Sequence, residues 1–204
     1  MIKFYQNREL SEKLEVALSK WKRWSREFLP PDPLGGMQSG FARQYSIDDA
    51  LNVFLGGYLV SGLKFSIPAA RQILKDLQAW LQSHHFFYYF DHINGKTSPS
   101  NGSGLSYRIY ILPEEERFRE SLQFRYIIKQ MLRSEPVSVA GHSERQERYL
   151  EERLRSARTS SGGEWTEFEK TLLGARVLYV SNLHQTFLNA LSRPSISSSG
   201  RGRK

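Results

Sequence analysis

The stretch KWKRWSREFLPP, Lys20 to Pro31, constrains the fold more than any other. It carries two tryptophans and four basic residues and then ends in a double proline. A helix that only packs has no use for the cations. One that is only solvated has no use for the tryptophans. The segment therefore reads as an amphipathic helix with one face in a core and another left to a partner. Pro30 closes it, because proline disfavours helical geometry in the preceding residue, here Leu29.

Its neighbours supply the context. Ile2 to Gln6 suit a short strand. Asn7 or Ser11 can cap a helix carrying Leu10, Leu14 and Val16, with Glu9, Glu12 and Glu15 early in it. Ser19 offers a second N-cap, close enough to imply a tight turn between two helices. Beyond the prolines, Gly35-Gly36 and Gly40 suit a loop or short hairpin, with Phe41 to Tyr45 as the return strand. Ser46 and Asp49 form a helix-start signal, and Leu51, Phe54, Leu55, Tyr58 and Leu59 follow at helical spacing. "GLKFS" interrupts the pattern. Ser66 then caps a helix that tolerates Pro68 in its first turn and has an apolar stripe of Ile67, Ala70, Ile73, Leu74, Leu77 and Leu81. The order strand, helix, turn, helix, glycine-bearing wing, helix, helix describes a winged helix-turn-helix.

After Ser83 the period changes. "HHFFYYFDHI" and "LSYRIYIL" read as strands, separated by the polar loop "NGKTSPSNGSG". On the second, Tyr107, Ile109 and Ile111 share one face, and Arg108 and Tyr110 point the other way. "PEEERFRESLQFRYIIKQMLRSE" reads as a helix, with Phe118, Leu122, Tyr126 and Ile127 on one side. "RQERYLEERLRSAR" reads as a shorter charged helix between linkers at Pro136 to Ser143 and Thr159 to Gly163. A last, long helix runs from Trp165 to Leu191, with Phe168, Leu172, Ala175, Tyr179, Leu183, Phe187 and Leu191 along one stripe. The expected fold is mainly α with small β elements. A winged helix-turn-helix at 1–82 precedes an α+β effector and dimerisation region at 83–192, and 193–204 are expected to form a disordered, basic, low-complexity tail.

Composition limits the chemistry. The chain has 204 residues, a net charge of +8 and a pI near 9.7, which favours a polyanionic partner, nucleic acid before membrane. No cysteine is present, so disulfides, thiolate metal sites and cysteine nucleophiles are excluded. His84, His85 and His92 lie close in sequence, but neighbouring strand residues point to opposite faces and no carboxylate cluster accompanies them. No nucleophile triad, nucleotide loop or carboxylate pair is recognisable. The expectation is a non-enzymatic protein with no cofactor and no metal. The N-terminus turns polar at once and no stretch is long enough to span a bilayer, so a cytoplasmic location is expected.

Three blocks in order, "WKRWSREFLPP", "GGMQSGFARQYSIDDAL" and "GLKFSIPAARQIL", resemble the DNA-binding domain of the MerR family of bacterial transcription regulators. Lys22 falls on the family's arginine, Trp24 on its tryptophan, and Arg26, Glu27 and Phe28 on its "REF". Arg43 to Ser46 fall on "RRYS", Asp49 on the aspartate that follows, and Ala70 to Leu74 on "ARKIL". The resemblance covers about residues 1–82. Trp21, Arg23 and Gln44 depart from the family pattern.

The resemblance implies a recognition helix in the major groove of double-stranded DNA. Trp24 and Phe28 form its packing face. Lys20, Lys22, Arg23 and Arg26 form its DNA face, with Ser19 near the helix start available to a phosphate. From the wing and the turn after it, Arg43, Gln44, Tyr45 and Lys64 are the further candidate contacts, Arg43 having the alternative of a tie to Asp48 or Asp49. A nucleoid-associated regulator binding a palindromic promoter site as a homodimer is the function so implied, its dimer helix lying at Trp165 to Leu191 in preference to Glu114 to Arg133. An excisionase-like architectural protein and a DNA-anchored docking module are the alternatives. Residues 83–192 would receive any small-molecule or protein effector, with Phe87, Tyr89 and Tyr110 as candidate pocket residues.

Overall fold

The computed structural model describes residues 4–31, 43–87, 106–114, 123–132, 136–139, 142–145, 148–155 and 174–194. Strand β1 (Tyr5–Gln6) leads into α1 (Asn7–Lys13), and a four-residue turn precedes α2 (Leu18–Phe28). Strand β2 (Gln44–Tyr45) returns antiparallel to β1, with Tyr5 opposite Tyr45. Helices α3 (Ile47–Ser61) and α4 (Ile67–Ser83) follow. The predicted starts of these two hold. Ser46 and Asp49 close a reciprocal capping box, and the Ser66 hydroxyl accepts the Ala69 N–H with Pro68 in the first turn. Leu29 is extended ahead of the prolines, which ends α2 as expected. The first two predicted caps do not form. Gln6 and Ala17 occupy those positions without a side-chain bond, and Asn7 instead accepts a hydrogen bond from the Tyr45 hydroxyl at 2.6 Å. Of the predicted wing, only its last residues, Arg43 to Tyr45, are described.

The second half overturns the mainly α reading: the fold is α+β. Strands β3 (Ser106–Glu114), β4 (Gln123–Met131), β7 (Tyr149–Arg155) and β8 (Arg176–Leu178) form one antiparallel sheet in the order β7-β4-β3-β8. Strands β5 (Pro136–Val139) and β6 (His142–Arg145) pair where a linker was expected. Of the predicted helix from Glu114 to Arg133, the described residues are instead the end of β3 and all of β4, and 115–122 and 133 lie outside the described residues. Phe124, Tyr126 and Ile128 alternate at strand spacing, and β3 on one side and β7 on the other take up their backbone groups. Of the predicted charged helix RQERYLEERLRSAR, Tyr149–Arg155 are likewise strand β7, with Leu150 and Leu154 on one side of the sheet, while 146–147 and 156–158 lie outside the described residues. The expected long helix from Trp165 to Leu191 is interrupted, and its residues 165–173 lie outside the described residues. Arg176–Leu178 join the sheet beside Ile109–Ile111, and α5 spans only Val180–Ser192. His84 and His85 form a turn rather than a strand, with His85 at φ 57.

One face of the sheet packs on the helices. Phe65 meets Phe124 edge-on at 5.9 Å, Trp80 meets Tyr107 at 5.3 Å, and the Tyr126 hydroxyl donates to Asp76 at 2.6 Å. Helix α5 lies against α3 through Phe187 and Phe54. A single buried cluster thus runs from Leu10 through Ile73 and Ile109 to Leu191.

Candidate nucleic-acid interface

The turn between α1 and α2 is tight because Glu15 adopts φ 55, the left-handed conformation a side chain disfavours. It brings α2 across the core with a sharp division of faces. Trp21, Trp24, Ser25 and Phe28 are buried, whereas Ser19, Lys20, Lys22, Arg23 and Arg26 are exposed. Trp21, fully enclosed, packs edge-on to Tyr45 at 5.9 Å. Trp24 and Phe28 lie on Gly57 and Gly56 of α3. A Cβ at Gly56 would stand 2.6 Å from the Phe28 ring, and one at Gly57 would overlap the Trp24 ring. The glycine pair therefore sets how closely α2 approaches α3. Two glycines in a helix interior cost roughly 1 kcal/mol each against alanine, a signal in the sequence that this contact must be close.

Three cations converge where α2 ends beside β2. Lys22, Arg26 and Arg43 line a cleft of about 450 Å³ together with Asn7, Ser25, Tyr45, Pro30 and Pro31, and among the described residues no carboxylate lines it. Arg43 donates to the Pro30 carbonyl at 2.9 Å, and its guanidinium lies 5.6 Å from the Tyr45 ring centre. It bonds the end of α2 rather than Asp48 or Asp49. Lys20 extends the basic face, its ammonium 4.9 Å from the Trp24 ring centre.

Other predicted contacts stand differently. Tyr45 is buried, with its oxygen 3.0 Å from Ser25 Oγ, so it supports the cleft from beneath and does not reach a partner's backbone. Gln44 is exposed on β2. Lys64 lies outside the cleft lining; at φ 59 it donates to the Ser61 carbonyl at 2.7 Å and closes the end of α3. Arg71 binds the Glu27 carbonyl and carboxylate, both at 2.6 Å, and ties α4 to α2. The candidate effector residues are not brought together. Phe87 lines a separate cavity of about 420 Å³ with Leu29, Asn52 and Leu74, Tyr110 lies on the sheet face opposite Tyr107 beneath Lys129, and Tyr89 is outside the described residues.

One contact had no sequence signal. Lys13, buried on α1, donates from Nζ to the Leu191 carbonyl at 3.2 Å and to the Arg193 carbonyl, capping α5 from across the fold. Arg193 pairs with Glu15 at 2.7 Å beside it. Helix α1 and the turn after it are thereby fastened to α5.

The chain matches no protein-family model and no curated protein sequence. Among the described residues no helix is long and apolar enough to cross a membrane.

Proposed function

We propose that this protein is a sequence-specific regulator of transcription of the MerR type, binding double-stranded DNA through α2 and the wing. The observation that carries the reading is the cleft where Lys22, Arg26 and Arg43 meet, without a carboxylate among the described lining residues, on the helix that also exposes Lys20 and Arg23. Such a surface neutralises phosphates, and its arginines can address guanine edges in the major groove. The protein acts by binding, associated with the nucleoid, and pairs two such surfaces as a homodimer on a palindromic site. An effector, small molecule or protein, would act through residues 83–192.

Selection of bound duplexes from a random pool tests the reading, since the recovered motif reports both specificity and symmetry. A palindrome is expected. Lys22→Ala and Arg26→Ala should each weaken binding with an unchanged thermal melt. A phosphate contact shows as a salt slope smaller by about one, and a guanine contact as a loss of roughly 1–3 kcal/mol of discrimination at one base pair. If both variants bind the selected site as the parent does, the basic face of α2 is not the reader.

A further inference from the structure

Strand β7 carries an exposed surface that includes Tyr149 and Leu150. It is an outer strand of the sheet, paired among the described residues with β4 alone. Tyr149 to Arg153 are exposed, Leu150 to 57% and its neighbour Tyr149 to 46%. An outer strand offers a row of backbone N–H and C=O groups to any chain that can lie beside it, and proteins usually guard such an edge with charge. Here the guarding charges are arranged to select one partner.

We propose that β7 pairs antiparallel with β7 of a second copy about a twofold axis at Glu152, joining the two sheets into one of eight strands. The register follows from symmetry. Facing residues of an antiparallel pair point to the same side of the sheet, and a twofold axis keeps each residue on the same side in both copies. Facing positions must therefore be an even number of residues apart. Centred on Glu152, YLEERLR sets Leu150 opposite Leu154, Glu151 opposite Arg153 and Tyr149 opposite Arg155, each twice. The neighbouring allowed registers place Glu151 against Glu151 or Arg153 against Arg153, with leucine against Glu152 in either case. Like charges directly opposite destabilise a sheet, and apolar and opposite-charge pairs stabilise it.

The rest of the strand agrees. Leu154 faces the helix-bearing side, opposite Tyr126, so the leucine pairs extend that apolar layer across the axis. Arg153 already donates to Glu151 within its own strand at 2.7 Å. A guanidinium has several donors and a carboxylate two acceptors, so two such pairs can close an alternating ring of four charges. Glu152, which meets its own copy at the axis, is drawn back into its chain by the Trp80 indole N–H at 2.9 Å. The inference rests on the homodimer of the proposed function and not on its DNA contact.

The chain has no cysteine of its own, which allows a cross-linking test of register. Sedimentation without DNA should give a dimer for the parent. Arg153→Glu and Leu150→Lys should each sediment at half that mass with the parent's thermal melt. On oxidation Glu152→Cys should give a covalent dimer, since facing Cα atoms lie about 4.5–5.5 Å apart, within disulfide reach. Leu150→Cys should not, because the two copies of that position stand about 13 Å apart along the strands. A monomeric parent, a dimeric Arg153→Glu, or Leu150→Cys cross-linking as fully as Glu152→Cys overturns the interface. Titration of the selected duplex separates the two proposals: a dimer that binds no DNA ends the DNA-binding reading and leaves this interface, and a DNA-binding monomer ends this interface and the homodimer with it but leaves the DNA contact.

Discussion

Trp24 and Lys22 are two residues apart on one helix and belong to different problems. The tryptophan is buried against Gly57, and the lysine stands in the open at the basic cleft. Trp24→Ala should therefore lower stability by about 3–5 kcal/mol, as expected for a large aromatic removed from a core. Gly57→Ala tests the same contact from the other side. Alanine is the better helix former, yet its methyl group would overlap the indole, so a destabilisation of roughly 1–3 kcal/mol is expected where propensity alone forecasts a gain. Chemical denaturation of the two single variants measures both. A Gly57→Ala protein more stable than the parent would show that α2 and α3 can separate without cost.

At the scale of elements, one contact between the halves is the capping of α5 by Lys13. The last turn of a helix leaves carbonyls without partners and carries partial negative charge, and a buried ammonium answers both. Lys13→Met keeps the stem and removes the donors, so stability should fall by about 1–3 kcal/mol. The nearby Arg193–Glu15 pair is exposed on both sides, 61% and 76%, and Arg193→Ala should cost under about 1 kcal/mol. Urea midpoints for the two variants compare them. Equal losses would mean that the ammonium contributes no more than a surface ion pair.

For the molecule as a whole, a buried histidine on α5 links stability to pH. His184 is 2% exposed and packs edge-on to Phe86 at 5.2 Å, and burial lowers its pKa to about 4 despite a hydrogen bond with the Phe86 backbone. The native state holds it neutral, and the unfolded chain takes up a proton below about pH 6.5. Its contribution is therefore present in full above that point and is lost as pH falls towards 4. The unfolding free energy should be about 2 kcal/mol lower near pH 5 than near pH 7.5. A His184→Gln variant should lose that part of the slope. A parent equally stable at both pH values would place His184 in contact with water.

Signals confined to a few consecutive residues were legible in the sequence. Ser46 with Asp49, Ser66 with Pro68, and Pro30 after Leu29 act through the nearest backbone groups, and each stands where it was expected. The division of α2 into a core face and a basic face was equally legible, because helical spacing alone assigns Trp24 and Phe28 to one side. The second half was not. Tyr126 and Ile127 fit a helical stripe, and Tyr126 and Ile128 fit a strand. The choice fell to β3 and β7, which satisfy the backbone of β4 from positions far along the chain. Arg176–Leu178 left the expected long helix for the same reason, since the edge of β3 at Ile109–Ile111 needed a neighbour. Tyr45 became a support for the cleft, and Lys13 a cap for α5, through contacts with residues that no local pattern could name. The Ser46 and Ser66 caps and the proline stop belong to the sequence because their partners are adjacent. The Asn7 and Ser19 caps failed and the stripe through Tyr126 became a strand, because sheet pairing and buried polar contacts depend on partners brought close only by folding.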